Sequence, residues 1–150
     1  MTIVTMRLAL SPADRDACFA IRQLVFVEEQ GVPLPAEFDE HEDVATHLLA
    51  LADDRPAGTL RWRRKALRTV KIERVAVLRP YRGLGLGRVL LRECLERIAA
   101  EDIDEAVLHA QVQAQDFYRR FGFEPMGNSF VEDGIEHLAM RLPIHARPSA

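Results

Sequence analysis

Two hydrophobic periods run along the chain, and the points where one gives way to the other predict its elements. Residues Thr2 to Leu10 alternate apolar and polar, as a half-buried strand does. Ser11-Pro12-Ala13-Asp14 then reads as a helix start, with Ser11 as N-cap and Pro12 in the first helical position. Ala17, Cys18, Ile21, Leu24 and Val25 give that helix an apolar stripe and carry it to Val27. Arg22 falls inside the stripe, where an arginine either snorkels, pairs with a nearby acid or faces a cleft. Ala45–Ala52 and Ala57–Arg63 are strands around the turn residues Asp53-Asp54-Arg55-Pro56, a hairpin. A basic linker, Arg64 to Arg68, leads to a strand over Val70–Leu78. Ala106–Ala110 is a short buried strand. Ala114, Phe117, Tyr118 and Phe121 share one face of a short helix closed by Gly122 as C-cap. Met126–Val131 and Glu136–Arg141 form a last hairpin around Glu132-Asp133-Gly134, and the chain is expected to fray from Pro143.

The densest chemistry lies where the strand before Leu78 runs through Arg79-Pro80-Tyr81-Arg82-Gly83-Leu84-Gly85-Leu86-Gly87-Arg88 into a helix. Pro80 ends the ladder, and Gly87, Leu90, Leu91, Cys94, Leu95 and Ile98 recur at helical spacing. The glycines therefore sit at a helix N-terminus, where unpaired N–H groups and the helix dipole favour an anion such as a phosphate. Arg82 and Arg88 bracket that place. A P-loop would need Lys followed by Ser or Thr after the last glycine, and Arg88-Val89 stands there instead. A dinucleotide fingerprint would need Gly at Arg88 and would open the first βαβ unit, although Asp102 and Asp104 fall where a ribose-binding acid is expected. The bland alternative is a Gly-rich turn that binds nothing.

Between Glu28 and Asp43 the periodicity breaks into a loop punctuated by Gly31, Pro33 and Pro35, in which Glu37, Asp39, Glu40, Glu42 and Asp43 crowd together. Such a run is either a solvated acidic surface or an entrance that attracts a cationic amine. His41 and His47 lack partners at zinc-ligand spacing, so no metal is expected.

At 150 residues with 48% hydrophobic and 29% charged positions, the chain has the composition of one globular domain spanning 1–150. A formal net charge of −3 gives no general affinity for nucleic acid or for an anionic membrane. No apolar run approaches membrane-spanning length and no basic-then-apolar leader is visible, so a cytoplasmic protein is expected. Cys18 and Cys94 both fall within predicted helices, as free packed thiols would.

The order of these elements resembles the GNAT superfamily of N-acetyltransferases over nearly the whole chain. Arg82-x-x-Gly85-x-Gly87 matches the superfamily's pyrophosphate signature at a strand-to-helix junction. Phe117-Tyr118-Arg119-Arg120-Phe121-Gly122-Phe123 matches its aromatic-Tyr-x-x-x-Gly-Phe block. Arg22-x-x-Val25-Phe26-Val27-x-Glu29-Gln30, Ala110-Gln111 and Glu132-Asp133-Gly134-Ile135-x-His137 resemble a small bacterial subgroup of mostly unassigned substrate. Two positions depart from that subgroup: Glu73 stands where Gly is expected before Arg74, and Glu136 where Pro is usual before His137.

The resemblance implies an α/β (α+β) fold with a central mixed, mostly antiparallel sheet splayed at its middle and helices on both faces. It implies acetyl-CoA as cosubstrate and a primary amine acceptor, on a small molecule or a protein, that attacks the thioester directly in a ternary complex; from the sequence both a monomer and a homodimer stay open. The backbone from Arg82 through Gly83, Leu84, Gly85, Leu86 and Gly87 to Arg88 would hold the pyrophosphate. The strand edge Val75, Ala76 and Val77 and the amide of Gln111 would hold the arm, and Tyr118 would lie at the sulfur as the acid. The amine must lose a proton, which costs about 4–5 kcal/mol at pH 7 for a lysine-like group. Glu73 is the first candidate base, on one face with Lys71, Val75 and Val77 by strand alternation, unless it forms an ion pair with Arg74 or a neighbouring strand's arginine. His137 is the second candidate, and His109 is expected to be structural. Glu29 and Arg22 would contribute to the acceptor pocket. The competing readings are an acyl-CoA-binding sensor or scaffold without turnover, and a domain whose acidic loop binds a protein partner.

Overall fold

The first strand, β1 (Val4–Leu8), exposes every second residue and leads to Ser11, whose hydroxyl accepts the Asp14 N–H at 3.1 Å. That cap and Pro12 start helix α1 (Pro12–Arg22). The helix does not stop at Val27: it continues as a π-helical turn over Gln23–Glu29. The change of winding puts Leu24 out in solvent while Val25 stays buried, against the uniform stripe expected. After Gly31, which takes a left-handed φ of 76°, a single helical turn α2 (Leu34–Glu37) interrupts what reads in sequence as loop.

The strands β2 (Thr46–Ala52), β3 (Arg55–Ala66) and β4 (Thr69–Val77) follow as a meander. Asp53 and Asp54 both take positive φ, as a two-residue hairpin turn between right-twisted strands requires. β3 extends beyond Arg63, so most of the predicted basic linker is strand, and Arg68 is tied to Asp102 and Asp104 at 2.7 Å each. These two carboxylates are thereby engaged away from the Gly-rich turn. Helix α3 (Leu86–Ala99), strand β5 (Glu105–Gln111), helix α4 (Gln115–Arg119) and the hairpin β6 (Glu124–Glu132) and β7 (Ile135–Pro143) complete the chain. Gly122 has φ 98° and closes α4 as its sequence position predicts, with the Phe123 N–H returning to the Tyr118 carbonyl at 3.2 Å.

The seven strands lie in the order β1-β2-β3-β4-β5-β7-β6, and of the neighbouring pairs only β4 and β5 are parallel. Helix α3 packs Leu90, Leu91, Cys94 and Ile98 on one face, over Leu60, Trp62, Ile72 and Leu108. On the other face α1 packs Cys18, Ile21 and Val25 against Leu49, Leu51 and Ala76. Both cysteines are buried free thiols. The computed structural model describes residues 1–144. Within them β7 reaches Pro143 and the Ile144 N–H donates to the Asp104 carbonyl at 2.7 Å, so these two positions are not frayed; the rest of the expected tail lies outside the described residues.

Candidate active site between the parallel strands

β4 and β5 pair only from Thr69–Ile72 against Glu105–Leu108. Beyond Ile72 they part, and the cause is local. Thr59 faces Ala76 and Arg61 faces Glu73, so on β3 the single Leu60 opposes both Arg74 and Val75 of β4. This is a β-bulge, with Arg74 at a φ of 59°. A non-glycine residue in that region costs on the order of 1 kcal/mol, and here the arginine is anchored by contacts of 3.3–3.4 Å to the carbonyls of Ala36 and Glu37 and to Asp39. The extra residue reverses the faces of β4. Ile72 packs with the α3 core, Ala76 with the α1 core, and Val75 and Val77 turn to the α3 side. Glu73 therefore shares a face with Lys71 but not with Val75 and Val77, correcting the simple alternation.

The parted strands frame a cleft of about 340 Å³. Val75, Ala76 and Val77 line it along β4, whose edge toward β5 has no ladder partner there. Gln111 and Tyr118 line the opposite wall, and Glu29 and Gln30 of the π-helical end lie across the top, with Gln111 donating its amide to Gln30 at 2.7 Å. At Val77 and Arg82 the cleft reaches the Gly-rich turn. Gly83 and Gly85 have φ of 87° and 77°, and an added Cβ at Gly83 would meet nothing within 4 Å. Their role is thus conformational. The first helical bond runs from the Val89 N–H to the Gly85 carbonyl at 3.1 Å, which leaves the N–H groups of Leu86, Gly87 and Arg88 without intrahelical acceptors. Leu86 anchors the turn by burying its side chain in the core. Arg82 donates to the Val77 carbonyl at 2.9 Å and pairs with Glu29 at 2.9 Å. Glu29 is thus a partner of the cradle arginine, and that pairing lowers the proton affinity of its carboxyl against the opposing effect of desolvation.

Behind the cleft wall lies an ion network that consumes most of the acidic loop. Arg22 is 1% exposed, with Nε 2.9 Å from Glu37 and Nη2 2.7 Å from Glu42. It does not line the cleft, so its expected contact with the acceptor is replaced by a supporting one. Arg61, fully buried on β3, binds Asp39 at 2.8 Å, Glu42 at 2.8 Å and Glu73 at 3.2 Å. Burial pushes Glu37 above the usual carboxylate range despite its arginine partners. For Glu42 burial acts in the same direction, but Arg22 and Arg61 overcome it and hold the carboxyl at about 2. Glu37, Asp39 and Glu42 are therefore not a free acidic surface: each is paired with arginines, and Glu37 also lines the cleft.

Glu73 lines the cleft but is gripped by Arg63 at 2.8 Å, Arg61 at 3.2 Å and Lys71 at 3.5 Å. Desolvation opposes its charge, yet the three cations together hold it below its ordinary range. A neighbouring strand's arginines hold it, the ion-pair alternative open from sequence. On the other side of the cleft His137 is 8% exposed, with Nδ1 2.7 Å from the Ile135 carbonyl. His109 also lines the cleft and hydrogen-bonds Glu132 at 3.2 Å. Tyr118 is buried against Phe117 and Phe123 at the cleft wall, and desolvation pushes its phenol up to about 12.

The model of the acetyltransferase (GNAT) domain matches residues 25–144. The chain belongs to the GNAT acetyltransferase family. A Bacillus subtilis protein provisionally named an acetyltransferase is 42% identical over 134 residues, 87% of this chain and 90% of that protein. A crystal structure of an N-acetyltransferase, itself provisionally named, from Lactobacillus plantarum superposes with a TM-score of 0.87 at 32% identity, covering 95% of this chain and 99% of that one. An acyl-CoA N-acyltransferase from Pseudomonas aeruginosa superposes with a TM-score of 0.82 at 30% identity, covering 94% and 99%. Membership in the GNAT family carries acyl transfer from an acyl-CoA. The GNAT cleft gathers Glu29, Glu73, Val75–Val77, Arg82, Gln111, Tyr118 and His137 in its lining and leaves out Arg22; Gly83, Leu84, Gly85, Leu86, Gly87 and Arg88 follow Arg82 in the turn beyond that lining. It adds Lys71, His109, Glu132 and Asp133, which sequence reasoning did not place in the site. The recurrence of charge at Glu132 and Asp133 beside His137 was the available signal. Among the described residues no helix is long and apolar enough to cross a membrane, and no group of three or more His, Cys, Asp or Glu side chains is placed to hold a metal ion.

Proposed function

We propose that the protein is an acetyl-CoA-dependent N-acetyltransferase that brings a primary amine and the cosubstrate together in the cleft between β4 and β5. The observation that carries this reading is a cleft lined by an unpaired β4 edge and a buried tyrosine that reaches, at Arg82, the Gly-rich turn before a helix N-terminus with free N–H groups. The residues present fit the cosubstrate. Glycines at Gly83 and Gly85 keep the turn open, the N–H groups of Leu86, Gly87 and Arg88 are free for a pyrophosphate, and Arg82 and Arg88 add positive charge. Val75, Ala76 and Val77 offer main-chain donors and acceptors to the amides of the pantetheine arm, and Gln111 faces them. When bound, acetyl-CoA supplies an acyl group activated as a thioester.

The chain's own groups do the rest. A strand N–H at the bulge polarises the acyl carbonyl, as fixed donors do where negative charge develops. His137 takes the proton of the incoming ammonium at Nε2, because Nδ1 carries its hydrogen toward the Ile135 carbonyl and leaves Nε2 with the lone pair. Glu73 gives the wall its charge balance rather than serving as base, because three cations already hold its carboxylate. Tyr118 keeps its proton at neutral pH and donates a hydrogen bond to the departing sulfur.

Incubating the purified protein with acetyl-CoA and a mixed panel of primary amines, with thiol release and product mass followed together, tests the reading. Amine-dependent thiol release with a gain of one acetyl group on the amine is expected. Tight cosubstrate binding without release on any amine would leave a sensor, and no binding would overturn the proposal.

A further inference from the structure

His109, Glu132 and His137 come from three different strands, β5, β6 and β7, and meet in the lining of the cleft. Glu132 Oε1 lies 3.2 Å from His109 Nδ1, and Oε2 lies 3.9 Å from His137 Nε2. Phe130, directly opposite His137 across β6 and β7, spaces the two imidazoles: it meets His109 edge-on at 5.0 Å and stacks on His137 at 6.0 Å and 22°. The carboxylate thus spans the two rings while the phenyl ring fixes their separation.

We propose that Glu132 is the positioning residue that fits His137 to accept the acceptor amine's proton, an inference that rests on the assignment of His137 above. A neutral His137 with its hydrogen on Nδ1 satisfies the Ile135 carbonyl and leaves Nε2 free. When the ammonium N–H bond breaks and an N–H bond forms at Nε2, the imidazolium then has an oxygen facing each of its two N–H groups, the Ile135 carbonyl and the Glu132 carboxylate. The proton leaves to solvent past Glu132, the more exposed member of the pair. Without Glu132 the new charge would sit in a ring that is 8% exposed with no free counter-charge beside it. The other charged groups facing the pair do not substitute. Lys71 from β4 is a cation, Glu73 from β4 is held by three cations, and Asp133, in the hairpin turn, makes no hydrogen bond or ion pair to His137 among the described residues, whereas Glu132 does face it at 3.9 Å. His109 from β5 serves as the carboxylate's donor. Burial, with Lys71 and Lys65 adding to it, lowers its proton affinity against the pull of Glu132, so it donates a hydrogen bond as a neutral ring and leaves the charge of Glu132 for His137.

The test compares wild type with Glu132→Gln, Glu132→Asp, His137→Gln and the double variant Glu132→Gln/His137→Gln, measuring kcat and both KM values against pH on the best amine of the panel. At 3.9 Å in a water-like dielectric the attraction between unit charges is about 1 kcal/mol, or about sixfold in rate. Glu132→Gln should therefore move the acid limb of the kcat profile to lower pH and reduce kcat by about sixfold, with the acetyl-CoA KM within twofold of wild type. Glu132→Asp should bring the limb part of the way back, and the double variant should be no slower than His137→Gln. A limb that stays in place in Glu132→Gln while His137→Gln abolishes it would overturn this proposal alone. A rise in amine KM with kcat unchanged would do the same, making Glu132 a cation anchor. A limb untouched by His137→Gln would remove the base assignment and this proposal with it, and absence of turnover in wild type would remove the proposed function itself. In the ligand-free protein, nitrogen-15 imidazole spectra at acid pH should show a His137 Nε2 proton shielded from exchange in wild type and exchanging freely in Glu132→Gln; equal exchange in both would count against the pairing.

Discussion

Replacing Glu42 by glutamine removes one charge from the network behind the cleft wall while keeping the side chain's size, and the structure fixes the size and the pH course of the result. The carboxyl is held at about 2, against an ordinary value of 4.5, because it binds Arg22 at 2.7 Å and Arg61 at 2.8 Å in a site where its side chain is 14% exposed. At 1.36 kcal/mol per pH unit that difference stabilises the folded state by about 3 kcal/mol. The folded-state value lies below the unfolded one, so the contribution is complete above pH 4.5 and is lost as pH falls through about 2. Glu42→Gln should accordingly cost about 3 kcal/mol at pH 7, about 2 kcal/mol at pH 3.5, and almost nothing at pH 2. Arg22 keeps Glu37 and Arg61 keeps Asp39, so neither cation is stranded and the loss should not greatly exceed this figure. Urea unfolding followed by circular dichroism at these pH values measures it, and for a domain of this length the melting temperature should fall by roughly 6–12 °C at pH 7. A loss under about 1 kcal/mol at pH 7, or one that does not shrink on acidification, would refute the electrostatic account of the network.

Three other outcomes follow from particular groups. Tyr118→Phe should lower kcat by about 10²-fold with cosubstrate affinity unchanged, and because the phenol sits near 12 the wild-type rate should show no tyrosine-dependent decline below about pH 11. A basic limb near pH 9–10 that disappears in the variant would contradict that placement. Gly85→Ala puts a side chain at a φ of 77° and should cost about 1–2 kcal/mol in thermal stability while weakening cosubstrate binding measured by calorimetry. Cys18 and Cys94 are buried and burial pushes both thiols up, so neither should react with a thiol reagent until the protein unfolds. Rapid labelling of the native protein would show that one of the two cores opens.

What could be read from the sequence is what is encoded within a few residues. The Ser11 cap, the Gly-rich turn into α3, the Gly122 closure and the hairpin turns each carry their own turn chemistry, and each stands where the local residues put it. The bulge at Arg74 carries no such mark, because an arginine at positive φ is stabilised by carbonyls and carboxylates 35–38 positions away. That one residue reverses the faces of β4 and so decides where Glu73 points. The π-helical turn is equally silent, since Leu24 and Val25 satisfy an ordinary helical period in sequence. The acidic loop looks like surface when read alone and becomes interior only when Arg22, Arg61 and Arg74 arrive from other elements. The cluster of His109, Glu132 and His137 exists only once β5, β7 and β6 lie side by side.

The central claim is that the cleft between β4 and β5 holds an acetyl donor and an amine at the same time and passes the acetyl group directly between them. The most direct test is an initial-rate study on the purified protein with acetyl-CoA and the best amine varied together, with the intact protein mass recorded during turnover. The account predicts intersecting double-reciprocal lines and a protein mass that stays unmodified. Parallel lines with an acetylated protein, or no amine-dependent turnover at all, would contradict it.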